Sequence, residues 1–176
     1  KDPRKLMSTT PMSSMQITLV AMTIMLNALD GFDVLSISFA SPGIYAEWDI
    51  DRAALGVVLS MELIGMALGS IFLGRLADRI GRRPTILCCL VLMTIGMFMV
   101  TTVSTIIQLS IWRVITGLGI GGMLATTNAL TSEFANARSR HLCISLMVVG
   151  YPVGAVIGGS ITAQLLKTYD WRGVFY

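Results

Sequence analysis

Two acidic residues stand in the middle of a long apolar stretch of the chain. Asp30 and Asp33 interrupt a run of mostly hydrophobic residues that extends over about residues 15–38. Moving a charged side chain into hydrocarbon costs several kcal/mol, so acids at such positions are rare and usually functional. The two are one helical turn apart, and a helix would bring both carboxylates to one site.

The acids belong to a polar stripe on this apolar stretch. Its four members are spaced by four, three and three residues: Thr23, Asn27, Asp30 and Asp33. At this spacing they share one helix face, which must contact protein or water and not lipid. Neighbouring carboxylates disfavour joint ionisation, so the pair suits the binding and release of a proton. The alternative is that both acids pair with polar neighbours and hold a helix bundle together.

One further acid and one basic residue also lie within apolar runs. Glu62 shares a helix face with Gly65 and Gly69, and it either pairs with Arg113 or joins a proton path. Arg113 lies about seven residues into its run, roughly 10 Å along a helix. At that depth it is either a buried functional arginine or a side chain that snorkels to the membrane surface.

The composition indicates what kind of element positions these residues. The chain has 176 residues, of which 54% are hydrophobic and 13% charged, and its mean hydropathy is +0.75. These values are typical of an integral membrane protein. We predict an all-α membrane protein with five transmembrane helices, at about residues 15–38, 53–73, 85–103, 106–129 and 142–166, and the start of a sixth near Tyr176. Gly31 is expected to interrupt the first span, and Pro42-Gly43 to break the chain after it.

The distribution of basic residues predicts the orientation in the membrane. Nine lie in the polar arm of residues 1–14 and in alternate loops: Lys1, Arg4, Lys5, Arg75, Arg79, Arg82, Arg83, Arg138 and Arg140. Three lie on the opposite side: Arg52, Lys167 and Arg172. The positive-inside rule therefore places the N-terminus and the loops 74–84 and 131–141 in the cytoplasm of a multi-pass protein of the plasma (inner) membrane.

Several other classes of function find little support in the sequence. The net charge of +3 comes from short loops between apolar runs, without the basic patch of a nucleic-acid partner. Three cysteines in apolar surroundings and one histidine, His141, predict neither a disulfide framework nor a metal site. No cofactor motif and no pairing of a nucleophile with a base is present, which argues against an enzyme.

The segment 74–84, GRLADRIGRRP, is the most specific motif of the chain. An ordinary cytoplasmic loop would explain its arginines, but not a glycine at each end with an acid between them. We expect Gly74 and Gly81 to permit a tight reversal between two helices. The segment resembles the G-x-L-A-D-R-x-G-R-[KR] signature of the major facilitator superfamily. The resemblance implies a cytoplasmic latch between the two halves of a transporter, formed by Gly74, Asp78, Arg79, Gly81, Arg82 and Arg83.

Two glycine-rich stretches fit the same resemblance. Arg113 is followed by glycines at 117, 119, 121 and 122, similar to the family's R-x-x-x-G-x-G signature. Gly117 and Gly121 share a face with Arg113 and would let another helix approach closely. The stretch 150–154, GYPVG, resembles the fifth-helix motif of the family, and we assign its small or rigid residues to helix packing: Gly150, Pro152 and Gly154.

Within the superfamily, Asp30-Gly31-Phe32-Asp33 resembles the D-G-[YF]-D motif of the aromatic acid/proton symporter family. The resemblance implies that residues 15–176 are an incomplete N-terminal six-helix half of a twelve-helix transporter, whose C-terminal half is missing here. It also implies a lipid bilayer, protons and an aromatic acid anion of the benzoate or hydroxybenzoate class as partners. The residues expected to bind substrate or proton are Asp30, Asp33, Glu62 and Arg113. The alternatives are a carrier of the superfamily for a sugar, aliphatic acid or drug, or an inactive truncated fragment.

Overall fold

The described part of the chain is a bundle of five α-helices. The structure is a computed structural model, and it describes residues 13–48, 51–135, 139–167, 171 and 175. The helices are α1 (Ser14–Trp48), α2 (Arg52–Ile80), α3 (Arg82–Val100), α4 (Ile106–Phe134) and α5 (Arg140–Leu165). Each is long and apolar enough to cross a membrane. The predicted class, all-α with five membrane-length helices, is confirmed. The arm of residues 1–12 lies outside the described residues.

Helix α1 is longer than the sequence predicted. The expected interruption at Gly31 and the expected break at Pro42-Gly43 are both wrong, because α1 continues through them to Trp48. Proline has no backbone N–H, so Pro42 leaves the carbonyl of Ser38 without its usual helical partner. The hydroxyl of Ser41 donates to that carbonyl at 2.7 Å and thereby supplies the missing hydrogen bond.

The reversal between α2 and α3 is shorter than predicted. Helix α2 runs on through Gly74 to Ile80, and α3 begins at Arg82, so only Gly81 separates them. The prediction of a loop over residues 74–84 is therefore wrong. Gly81 has a φ of 98°, a conformation that side chains with a Cβ rarely adopt. Gly74 instead lies inside α2, where an added Cβ would meet Ala125 of α4 at 3.4 Å.

Close backbone contacts hold the helices together in pairs. A Cβ added at Gly65 or Gly69 of α2 would overlap a carbonyl group of α4, and one added at Gly117 or Gly121 of α4 would overlap a carbonyl group of α2. Helices α1 and α5 meet in the same way through Gly31, Gly150 and Gly154. Such contacts require small residues, since van der Waals packing drives helix association in membranes. The outward faces carry exposed apolar side chains such as Phe72 and Ile107, which suits contact with lipid.

Candidate functional site

A buried arginine lies at the centre of the site. Arg113 of α4 has no exposed surface, and its guanidinium contacts both α1 and α2. Nη1 donates to the carboxylate of Glu62 at 3.3 and 3.4 Å and to the main-chain carbonyl of Asp33 at 3.3 Å. Nη2 donates to the hydroxyl of Ser36 at 3.1 Å. Three helices are thus joined through one side chain.

The local sequence explains why Glu62 reaches Arg113. Gly65 packs on the carbonyl of Val114, and Gly117 packs on the carbonyl of Glu62 itself, so α2 and α4 are in backbone contact on either side of the pair. The Glu62 carboxylate and the Arg113 guanidinium therefore meet away from solvent, with side-chain exposures of 2% and 0%. Arg113 does not snorkel to a surface in this structure. The ring of Phe175 covers the guanidinium at 5.0 Å from its centroid, a cation–π distance.

Asp30 is buried like Arg113 and Glu62, but it forms no pair with a described residue. Its residue is only 1% exposed, yet neither carboxylate oxygen has a hydrogen-bond partner among the described residues. Burying a polar group without such a partner is unfavourable, and burying a charge without one is more so. Asp33, one turn further, contributes its main-chain carbonyl to Arg113 and also accepts there from the Ser36 hydroxyl at 2.6 Å.

Both acids of α1 line one cavity. It lies between α1 and α3 and has a volume of about 460 Å³. Apart from the two carboxylates and one hydroxyl, its walls are hydrophobic or aromatic, among them Leu26, Phe32, Met93, Thr94, Phe98 and Phe175. The two carboxylates therefore share a site, while the Arg113–Glu62 pair lies next to Asp33.

The remaining members of the polar stripe contact helices that the sequence could not assign to them. The amide of Asn27 donates to the main-chain carbonyl of Met147 in α5 at 2.6 Å. The hydroxyl of Thr131 in α4 lies 3.0 Å from that of Thr23 and 3.2 Å from the sulfur of Met147. Sequence reasoning missed Ser36 and Thr131. Ser36 continues the stripe three residues after Asp33, but Thr131 carries no local signal because its contacts come from other helices.

The residues of the basic motif lie together at one end of the bundle. Arg82 pairs with Glu133 at the end of α4, with N–O distances of 2.5 and 3.0 Å, and lies 3.6 Å from Asp78. Asp78, Arg79 and Arg83 are exposed. The side chain of Arg82 thus connects the α2–α3 turn to α4. In the fifth-helix motif, Gly150 and Gly154 face carbonyl groups of α1, whereas Pro152 is exposed.

The chain is similar to known membrane transporters in sequence. The family model described as Major Facilitator Superfamily matches residues 21–176. The 4-hydroxybenzoate transporter PcaK of Pseudomonas putida is 34% identical over 174 residues, which cover 98% of this chain and 39% of that protein. The gallate transporter of Pseudomonas putida is 28% identical over 164 residues, covering 93% and 36%.

A solved structure shows the same fold. The proton:xylose symporter XylE, a major facilitator superfamily protein, matches with a TM-score of 0.82 at 18% identity. The match covers 91% of this chain and 41% of XylE. The chain therefore spans about two fifths of the length of the relatives that it matches.

Proposed function

Because the chain belongs to the Major Facilitator Superfamily, we propose that this multi-pass membrane protein forms the amino-terminal half of a proton-coupled carrier for aromatic carboxylates. Two sequence relatives named above are transporters of aromatic acids, 4-hydroxybenzoate and gallate. They align with this chain over nearly its whole length. The proposal is thus for a transporter and not for an enzyme, with the activity belonging to a longer protein that contains a second half.

The proposal of proton coupling rests on the environment of the Asp30 carboxyl group. This group is buried, has no hydrogen-bond partner among the described residues, and shares a cavity with Asp33. A negative charge there is unfavourable, and uptake of a proton removes that charge. Such a group can therefore couple proton binding to a change of conformation. The buried Arg113–Glu62 pair, which contacts the next turn of α1 at the carbonyl of Asp33, supports an electrostatic role for the same region.

We propose that Arg113 binds the carboxylate of the substrate. A guanidinium presents five N–H donors, and the Nε of Arg113 has no partner among the described residues. When a proton neutralises Glu62, the guanidinium can exchange that acceptor for the carboxylate of the substrate. The aromatic ring would then lie among the hydrophobic and aromatic side chains near Phe175 and Phe32. In transporters of this kind the substrate site lies near the bilayer midplane, where the two halves meet.

The basic motif supports an orientation and a latch. The Arg82–Glu133 pair and the exposed Arg79 and Arg83 lie at the same end of the bundle, and the positive-inside rule makes this end cytoplasmic. We propose that these side chains contact the second half of the carrier when the cytoplasmic side is closed. The N-terminus of α1 then also faces the cytoplasm, and we propose that the membrane is the inner membrane of the cell.

The test is uptake of labelled 4-hydroxybenzoate into cells that contain the full-length carrier, with and without an imposed pH gradient. We expect the wild type to accumulate substrate only when the outside is more acidic, and Asp30→Asn to lose that accumulation. Asp51→Asn, at an exposed acid before α2, is the matched control and should transport normally. Gradient-driven uptake that survives Asp30→Asn would remove the role of Asp30. Competition by aromatic and aliphatic acids then defines the substrate class.

A further inference from the structure

The polar stripe of α1 continues from Asp30 toward the N-terminal end of the helix, beyond the groups that the proposed function uses. Thr23 and Asn27 are 1% and 3% exposed, so they face neither lipid nor bulk water. Asn27 contacts α5 through its amide, and Thr23 contacts α4 through the hydroxyl of Thr131. Polar groups buried in a membrane helix are costly, which makes a series of them on one helix face a candidate for a function of its own.

The series connects the acids to one end of the bundle. The Oδ1 atom of Asn27, like both carboxylate oxygens of Asp30, has no hydrogen-bond partner among the described residues. Thr23 lies seven residues before Asp30, roughly 10 Å along the helix. Gln16 lies a further seven residues, about two helical turns, toward the N-terminus. Its Nε2 donates to the carbonyl of Phe134 at 3.0 Å, next to the Arg82–Glu133 pair.

We propose that Asn27, Thr23 and Thr131, together with water molecules that enter between them, form the route by which a proton passes between Asp30 and the membrane face that carries the Arg82–Glu133 pair. This inference rests on the proposed function. In each step a hydroxyl or water oxygen accepts one proton and releases another, so only O–H bonds form and break. One proton leaves the Asp30 carboxyl group and one proton reaches the membrane face. The Asn27 amide orients the water next to Asp30.

Met147 closes the route in this conformation. Its residue is 1% exposed, its carbonyl accepts from Asn27, and its sulfur accepts from Thr131. Met147 therefore contacts Asn27 through its main chain and Thr131 through its sulfur, and a thioether has no O–H group that could pass a proton on. Around Asp30 the titratable groups are Asp33 on α1, Cys89 on α3 and Tyr151 on α5, with the Glu62–Arg113 pair beyond Asp33. Thr23 and Thr131 continue the polar series toward Gln16.

The test separates proton movement from substrate movement in the full-length carrier in proteoliposomes. Counterflow exchange of labelled for unlabelled 4-hydroxybenzoate needs no net proton transfer, whereas uptake driven by a pH gradient does. For Asn27→Leu and Thr131→Val we expect normal counterflow, and gradient-driven uptake lower on the order of tenfold. Loss of a proton-transfer group typically lowers a rate by about a hundredfold or more. We expect a smaller loss of uptake here because a water molecule can partly replace the missing side chain. Thr18→Val, an exposed threonine of the same helix, is the control and should change neither rate.

A second variant tests the closure. Met147→Ala should let protons cross without substrate, which a pH-sensitive dye inside the vesicles measures. Unchanged gradient-driven uptake in both Asn27→Leu and Thr131→Val would overturn the route, as would an equal loss of counterflow and driven uptake. If wild-type uptake does not respond to a pH gradient at all, the proposed function fails instead, and that result is visible before any variant is compared.

Discussion

The buried Arg113–Glu62 pair gives the sharpest prediction for stability. Glu62→Gln keeps the shape of the side chain and removes its charge, so Arg113 is left buried with only neutral partners. At the observed 3.3 Å, two unit charges attract by about 5 kcal/mol at an effective dielectric constant of about 20. Loss of one partner of a buried pair typically costs about 3–5 kcal/mol. We expect a loss of that size in the free energy of unfolding.

The chain contains a matched control for this substitution. Glu133 also pairs with an arginine 51 positions away in the sequence, but its side chain is 51% exposed. Glu133→Gln should therefore cost only about 0–1 kcal/mol. The measurement is reversible unfolding of the full-length carrier in mixed micelles with increasing SDS. Arg113→Gln completes a double-mutant cycle with Glu62→Gln, for which we expect a coupling of about 2–3 kcal/mol. Equal losses of unfolding free energy for the two Glu→Gln substitutions would contradict the stabilising role of the buried pair.

Three further predictions concern the helix contacts. Gly121→Val should weaken the α2–α4 pair by about 2 kcal/mol or more, because its side chain would overlap the carbonyl of Met66. Gly56→Val is the control and should have little effect, because a Cβ added there would lie in open space. Unfolding in SDS compares the two variants. Trp171→Phe removes the indole N–H that donates to Glu47 at 2.5 Å, and we expect a loss of about 1.5–3 kcal/mol by the same assay. Ser41→Ala leaves the carbonyl before the helical proline without its donor, and hydrogen exchange should show faster local opening at the C-terminal end of α1 than in wild type.

The polar stripe shows how far sequence reasoning extends along one helix. Helical periodicity alone placed Thr23, Asn27, Asp30 and Asp33 on one face, and the cost of burying polar groups predicted that this face is turned inward. Three of the four residues are buried, and Asp33 is half-buried. The different environments of Asp30 and Asp33 could not be predicted from the sequence. The carboxyl group of Asp30 has no hydrogen-bond partner among the described residues, while Asp33 offers its main-chain carbonyl to Arg113. Which residue reaches Arg113 depends on where α4 crosses α1 and on the cavity that separates α1 from α3.

The helix ends were the weakest part of the prediction. Pro42-Gly43 and the segment around Gly74 contain residues that usually end helices, yet both lie inside one. In the first case the Ser41 hydroxyl replaces the lost backbone hydrogen bond. In the second, only Gly81 adopts a backbone conformation that an L side chain disfavours. A membrane also favours continued helix, since every backbone group must be satisfied within the segment.

The number of membrane-length helices, the inward polar face of α1 and the resemblance to the superfamily could be predicted from the sequence. These follow from hydropathy, periodicity and short motifs, which are properties of consecutive residues. Three contacts emerged from the packing of the helices: Glu62 with Arg113, Thr131 with Thr23, and Arg82 with Glu133. Each of these contacts joins residues from different helices, so it depends on crossing angles and on how closely the glycines let the backbones approach.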